Sequence, residues 1–175
     1  MRYRTIVADP PWDVKRPAGW HVSGHRSQPY PTMTVEEIAS LPVGDMTEDG
    51  HLYLWTVNLH IRSAYHVAES WGYTPVCLLT WCKKPMGVGP GGLFSITTEF
   101  ILFCRRGPEP RRMVVPSTWF EWPRKGQSVK PEAFFDLVES VSPGPYLEMF
   151  ARRQRLGWDT WGNEALNHVE LGGER

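Results

Sequence analysis

The sequence has no net charge. Its 19 lysines and arginines balance 19 aspartates and glutamates over 175 residues. Without an overall basic field, any binding to a polyanion must depend on local patches of charge. The length favours a single domain with a core of its own. We predict that this domain covers 1–166 and that a polar tail, frayed from Asn167, covers 167–175.

Cysteines and long apolar runs are also scarce. Cys77, Cys82 and Cys104 lack C-x-x-C spacing, which indicates buried thiols in a reducing compartment rather than a disulfide framework. No apolar stretch approaches the ~20 residues that span a bilayer. The run after Arg4 is too short for a signal peptide. We therefore expect a cytoplasmic protein without a membrane partner.

One stretch, Asp9-Pro10-Pro11-Trp12, directly follows a short apolar run that predicts a buried strand. Two prolines cannot continue a strand ladder, so a rigid loop begins at Asp9, at the end of the strand where ligands bind in open α/β sheets. Asp9 and the Pro10 carbonyl can each accept one hydrogen of an exocyclic amine, and Trp12 can stack on a flat ring. The alternative interpretation is a strand-to-loop turn with a buried tryptophan.

Strands and helices alternate along the rest of the chain. Periodicity predicts an α/β fold with a largely parallel sheet. Helices are expected over 34–40, where Thr34 and Glu37 form a capping box, over 59–71 and over 131–141. Strands are expected over 5–8, 51–57, 75–81, 97–104, 146–150 and 158–161, with 114–115 a candidate for another. Loops are expected over 13–31, 86–92 and 117–129.

Two further features bear on binding sites. His21 and His25 are four residues apart, but Val22-Ser23-Gly24 between them argues against a helix and no acidic ligand lies near, so no metal is expected. Glu148 lies in an apolar strand, and a carboxylate at such a strand end commonly takes a ribose diol. The alternative for Glu148 is a surface pair with Arg152 or Arg153.

Several motifs occur together and in a fixed order. The chain resembles the adenine-N6 methyltransferase family that includes the catalytic subunit of the eukaryotic messenger-RNA adenosine methyltransferase. A compact prokaryotic or phage-like member would have this form. The matching stretches are Ala8-Asp-Pro-Pro-Trp12, Pro29-Tyr30-x-Thr32-Met33, Leu52-Tyr-Leu-Trp55, Trp71-Gly-Tyr73, Ser128-x-Lys130-Pro131-Glu132, Ser142-Pro-Gly144, Leu147-Glu-Met-Phe150-x-Arg152 and the segment 158–163.

The resemblance implies a Rossmann-like fold that uses S-adenosylmethionine. It also implies a mostly parallel sheet with helices on both faces, and a permuted order in which the catalytic loop precedes the cofactor strand. The implied reaction is methyl transfer to the exocyclic amine of adenine in nucleic acid. DNA is preferred and RNA is the alternative; a catalytically silent binding subunit is an alternative of another class. The resemblance leaves open whether the protein forms a homodimer or binds a partner subunit.

Site roles are carried over from the family by position. Asp9, Pro10, Pro11 and Trp12 form the implied catalytic loop, with Asp9 also near the methionine amino group. Lys130 would hold the methionine carboxylate. Tyr30 and Glu99 align with positions near the incoming adenosine. The rest of the implied cofactor set is Ser128, Glu148, Phe150, Arg152, Asn163 and Glu164.

The chain departs from the family pattern at several positions. Gln154-Arg155 replaces a His-Asn pair, Ala151 replaces a glycine, and Glu164 stands where glutamine is common. Separately, Trp119 and Trp122 precede Arg124 and Lys125. Aromatic faces next to cations suit a nucleic-acid strand, so we expect Arg124 and Lys125 to contact phosphates.

Overall fold

The computed structural model describes residues 2–14, 31–84, 93–108, 113–124, 126, 129–162, 165 and 167–171. His21, His25 and the predicted loop 86–92 lie outside these ranges. Within them, seven strands form one sheet in the order β5-β3-β4-β2-β1-β6-β7. The strands are β1 (Thr5–Ala8), β2 (Gly50–Thr56), β3 (Thr74–Lys84), β4 (Thr98–Arg106), β5 (Trp119–Pro123), β6 (Tyr146–Met149) and β7 (Trp158–Trp161).

The sheet is mostly parallel, which confirms the predicted fold class. Only β4 runs against its neighbours β2 and β3, among the described strands. Because of this reversal, the start of β4 lies at the same edge as the carboxyl ends of the other strands. The register places Val7 between Tyr53 and Glu148, so the residues that follow β1, β2 and β6 emerge side by side.

Helices cover both faces of the sheet, as expected. On one face, α1 (Val35–Ala39) and α2 (Ile61–Ser70) pack through Ile38 and Val67 against β1 and β2. On the other face, α3 (Glu132–Val141) packs through Phe134 and Val138. Helix α1 has the predicted capping box, because Glu37 Oε2 accepts from the Thr34 amide at 2.7 Å and the Glu37 amide donates to Thr34 Oγ1 at 3.1 Å.

Two local predictions are wrong. The segment 117–129 was expected to be a loop, but it contains β5, the edge strand that pairs with β3. Its inward residues Phe120 and Trp122 alternate with exposed ones, a period-2 pattern that its charged neighbours obscure, and an edge strand tolerates proline. The residues 114–115, a candidate for a further strand, are not in a strand.

The end of the described chain is not frayed. The His168 amide donates to the Thr160 carbonyl at 2.9 Å, and the Gly162 amide donates to Asn167 Oδ1 at 2.7 Å. Val169 and Leu171 pack against the core face that carries α1 and α2. The predicted fraying is therefore wrong for 167–171, because two apolar side chains in a polar segment suffice to dock it.

Candidate active site

The loop after β1 is held by its own backbone. The Trp12 amide donates to the Pro10 carbonyl at 2.8 Å, and the Met33 amide donates to the Pro11 carbonyl at 3.0 Å. The second bond joins the loop to the segment that leads into α1, through a bridge between Trp12 and Met33. A carbonyl oxygen has two lone pairs, so the Pro10 carbonyl can still accept a second donor.

The placement of Trp12 differs from that of an open stacking platform. Its indole N–H donates to the Trp55 carbonyl at 2.9 Å, and its ring stacks on His60 with centroids 5.2 Å apart. His60 is fixed in turn by the Asp13 carbonyl, 2.9 Å from its Nε2. Trp12 is only 4% exposed. This placement indicates that Trp12 supports the loop, because His60 already covers one face of its ring.

A chain of alternating charges crosses the strand ends. Lys130 Nζ lies 3.2 Å from Asp9 Oδ2 and 2.9 Å from Glu99 Oε2. The other oxygen of Glu99 lies 2.5 Å from Lys83 Nζ. Lys130 also sits 4.4 Å above the centre of the Trp55 ring, where the face of the ring attracts a cation. Asp9, at the end of β1, is thus tied to the start of β4 through one ammonium group.

Burial and charge act in opposite directions on these groups. The pKa of Asp9 is raised above its usual value. Burial is the main cause and Glu99 adds to it, while the Lys130 ammonium opposes the rise. Burial also opposes the ionisation of Glu99, but Lys130 and Lys83 outweigh it and lower the pKa of Glu99. For Lys130, burial is outweighed by Asp9 and Glu99, which raise its pKa. The ammonium of Lys130 is therefore a fixed positive charge in the site.

Two adjoining cavities meet at Asp9. The Pro11 cavity has a volume of about 170 Å³. The Glu148 cavity has a volume of about 110 Å³. Asp9, Lys130 and Arg152 line both, so these three side chains form the shared wall. The Pro11 cavity is also lined by Pro10, Pro11, Trp12, Val14, Thr56, Val57 and Glu99, and the Glu148 cavity by Val129, Phe135, Glu148, Phe150 and Arg153.

Glu148 lies in β6 on the face of α3. The pKa of Glu148 is raised to about 7, chiefly by burial and also by the nearby Asp9, while Arg153 and Arg155 oppose the rise. Phe150, just after the strand, has a φ of 61°, a conformation that a bulky residue adopts only where its surroundings enforce it. Its ring meets Trp161 edge to face at 5.2 Å. The residues that turn the chain out of β6 thus form one wall of the Glu148 cavity.

A departure from the family pattern, Arg155, braces the segment after β6. Its guanidinium contacts three carboxylates of α3: Glu132 at 2.5 Å, Asp136 at 2.9 Å and Glu139 at 3.2 Å. It also lies 5.0 Å from the centre of the Phe135 ring, which lines the Glu148 cavity. Arg155 therefore joins the turn that carries Arg152 to the helix on the far side of the cavity.

The structure brings most of the described candidates to one edge. Glu148 lines a cavity, and Arg153, one of its two candidate surface partners, pairs with Glu132. Arg124 lines a third cavity beside Glu99 and Lys130. The roles assigned to these candidates in the sequence analysis stay predictions. The candidates outside the described residues are Tyr30, Lys125, Ser128, Asn163 and Glu164.

Sequence reasoning missed several residues of this site. Lys83 and Val57 each lie at or just beyond the end of a strand, so the rule that points to Asp9 could have found them. The signal for Arg155 was weaker: it is a cation at a position where the chain departs from the family pattern.

No three His, Cys, Asp or Glu side chains are grouped for a metal within the described part of the chain. None of its described helices has the length and apolarity to cross a membrane.

The fold and the site together define a class of protein. An open, mostly parallel sheet with helices on both faces, and with charged groups around cavities at its carboxyl edge, is the architecture of Rossmann-like cofactor-dependent enzymes. The chain belongs to the MT-A70 family, which residues 3–164 match, so the resemblance found in the sequence is confirmed.

The relatives of the chain carry the names of methyltransferases. Type II methyltransferase M.MunI of Mycoplasma sp is 30% identical over 97% of this chain and 81% of its own length. The N(6)-adenosine-methyltransferase catalytic subunit METTL3 of Homo sapiens is 26% identical over 97% of this chain. An MT-A70-like N(6)-adenosine-methyltransferase of Arabidopsis thaliana is 29% identical. The chain spans 29% of the human protein and 24% of the plant protein. It is a methyltransferase of this family.

Proposed function

We propose that the protein transfers a methyl group from S-adenosylmethionine to the exocyclic amine of adenine in DNA. The observation that carries this proposal is the pair of adjoining cavities that share Asp9, Lys130 and Arg152. One cavity suits the acceptor base and the other the cofactor, so that the two reactants meet at Asp9. Holding two reactants in such geometry supplies much of the acceleration in transfer reactions.

The chemistry of the Glu148 cavity fits the cofactor. Glu148 supplies a carboxylate for the ribose diol, and Lys130 supplies a positive charge directly before α3, where backbone N–H groups favour an anion such as the methionine carboxylate. Phe135 and Phe150 supply apolar walls. The bound cofactor contributes an electrophilic methyl group.

The Pro11 cavity fits an adenine that has left its base stack. The amine of adenine is a poor nucleophile, because its lone pair is delocalised into the ring. Asp9 and the second lone pair of the Pro10 carbonyl can accept its two hydrogens. That pair of bonds favours a pyramidal nitrogen with a usable lone pair, and it strengthens as the amine becomes positive in the transition state. Lys130 positions the Asp9 carboxylate for this task.

DNA is preferred to RNA because of the names and identities of the relatives. The relative named a type II methyltransferase is 30% identical to the chain and METTL3 is 26% identical, and the term type II belongs to enzymes of DNA modification. A silent binding subunit would not need the charged chain from Asp9 to Lys83. A homodimer or a partner subunit is an additional proposal that oligomeric state in solution would test.

The test is methyl transfer from labelled S-adenosylmethionine to DNA and RNA oligomers, with the product nucleoside identified by mass spectrometry. We expect N6-methyldeoxyadenosine. Asp9→Ala and the near-isosteric Asp9→Asn should both reduce turnover more than tenfold, since neither presents the carboxylate, while both stay folded. N6-methyladenosine in RNA alone would reassign the substrate. No transfer to either polymer, or Asp9→Ala with above a tenth of wild-type turnover, would contradict the proposal.

A further inference from the structure

A third cavity, of about 130 Å³, opens beside the two described above. Glu99 and Lys130 line it and contribute to the wall of the Pro11 cavity as well. Its other lining residues are Trp81, Lys83, Arg124, Gly126 and Val129. We call it the Arg124 cavity. Anything bound there lies beside Lys130, which pairs with Asp9, and beside Glu99, which pairs with Lys130.

The Arg124 cavity is rich in positive charge, although the chain as a whole has no net charge. Three cations, Lys83, Arg124 and Lys130, line it together with one carboxylate, Glu99. Even when Asp9, which also pairs with Lys130, is counted, one positive charge is in excess. Since the formal net charge of the whole protein is zero, this concave surface is a local attraction for an anion.

The cations of this cavity differ in how firmly they are engaged. Lys83 and Lys130 are held by Glu99 at 2.5 and 2.9 Å. Arg124 is exposed, and its one hydrogen bond within the described residues is a long one, 3.4 Å from its Nε to the Gly126 carbonyl. A guanidinium presents a planar fork of donors that matches phosphate oxygens. Arg124 is thus the group placed to take an external anion.

We propose that the Arg124 cavity binds one phosphodiester group of the nucleic-acid strand, next to the nucleotide whose base enters the Pro11 cavity. Arg124 donates to the phosphate, and Lys83 adds positive charge from the cavity wall. The inference rests on the proposed function, which places a base on the other side of Glu99 and Lys130. A phosphate held here fixes the strand without reading its sequence, so it positions the base at Asp9.

The experiment combines a change in the protein with a change in the ligand. A short adenine-containing DNA strand is made with a neutral methylphosphonate at one linkage at a time, and its binding is measured by fluorescence anisotropy. One neutral linkage should weaken binding to the wild type about tenfold, the scale of a hydrogen bond to a charged group. Arg124→Ala should bind the unmodified strand about tenfold more weakly, and should lose nothing further at that linkage.

A matched control uses a cation at the opposite edge of the sheet. Arg105 is exposed near the far end of β4 and pairs in register with Thr74, so Arg105→Ala should keep the wild-type pattern. The salt slope of binding should fall by about one counterion in Arg124→Ala alone. The proposal would be overturned if, at every linkage, neutralisation weakened binding equally in the wild type and in Arg124→Ala. It would also be overturned if Arg105→Ala, like Arg124→Ala, lost the effect of the one sensitive linkage.

The two proposals fail separately. Product nucleoside is measured on the same unmodified strand. If N6-methyldeoxyadenosine forms but Arg124 shows no coupling to any linkage, the phosphate site is wrong and the methyltransferase assignment stands. If the coupling is found and no methyl group is transferred, the phosphate site stands and the assignment of the reaction is wrong.

Discussion

At the scale of single residues, the site depends on how charges are shared. Lys130 contacts two carboxylates, and Glu99 contacts two ammonium groups. An isolated buried charge would be costly, but each group here has an opposite charge within hydrogen-bond distance. Removing Lys130 takes away the cation that pairs with Asp9, and removing Glu99 takes away the carboxylate that holds Lys130 and Lys83. We therefore infer that Lys83, although outside the Pro11 cavity, helps to keep Asp9 where a bound amine needs it.

Glu148 leads to a prediction about pH. Its pKa is raised to about 7 from an ordinary value of 4.5, so between these values the folded protein binds a proton that the unfolded chain has released. The free energy of unfolding must then fall as pH rises through this window. In Glu148→Gln that contribution is absent. The wild type should lose about 1–3 kcal/mol relative to the variant between pH 5 and pH 8.

Urea unfolding at several pH values measures this difference. Glu36→Gln is the matched control, because Glu36 is exposed in the first turn of α1 and should keep the wild-type dependence on pH. Parallel curves for the wild type and Glu148→Gln would show that the environment of Glu148 does not favour its neutral form. Affinity for the cofactor should rise over the same range, because an ionised carboxylate is the better acceptor for a diol.

At the scale of elements, local patterns were predictable and non-local ones were not. The strand before Asp9, the capping box of α1 and the apolar stripe of α3 follow from neighbours in sequence. The role of Glu99 depends on β4 running against the other strands, which brings the start of that strand to the site. Such a reversal is a property of sheet order, and a single strand contains no signal for it.

The placement of Trp12 gives the same lesson. The sequence indicates an aromatic face next to Asp9, and the alternative of a buried tryptophan was equally consistent with it. The ring of His60, from the turn before α2, stacks on Trp12 and so decides in favour of the buried tryptophan. Likewise, β5 is recognisable only once β3 offers it an edge to pair with. Long-range partners thus determine which of two local interpretations holds.

The brace between α3 and the turn after β6 can be tested through Arg155. Arg155→Met removes the cation between Glu132, Asp136 and Glu139, which then repel one another along one face of α3. We expect a loss of about 1–2 kcal/mol in the free energy of unfolding. Because the Phe135 wall loosens, affinity for S-adenosylmethionine should also fall several-fold. Arg155→Lys should be intermediate, since lysine cannot reproduce the fork of contacts.

Calorimetry of cofactor binding and urea unfolding separate the two effects. Arg62→Met, on the exposed face of α2, is the matched control and should change neither quantity. If Arg155→Met is destabilised while its affinity for the cofactor equals that of the wild type, the brace supports the fold alone and has no part in shaping the Glu148 cavity.

At the scale of the whole molecule, ligands that bind the folded state raise its stability. A ligand at about 100 times its dissociation constant adds about 2.7 kcal/mol. For a chain of this size the melting temperature should rise by roughly 5–10 °C. S-Adenosylhomocysteine has the same carboxylate as the cofactor, and 5′-methylthioadenosine lacks it. At equal concentrations, the first should therefore give the larger shift if Lys130 holds that carboxylate.

Lys130→Met should narrow the difference between the two ligands to what the α-amino group, which 5′-methylthioadenosine also lacks, contributes. The adenosine part, common to both, still meets Glu148 and the apolar walls, so a shift should persist for each. Arg62→Met again serves as the control and should retain the wild-type difference. Lys130→Met also releases Asp9 and Glu99 from their shared ammonium, so its melting temperature without ligand is the reference for both shifts. A difference in Lys130→Met as large as that of the wild type would place the carboxylate elsewhere, with Arg152 on the shared wall as the next residue to replace.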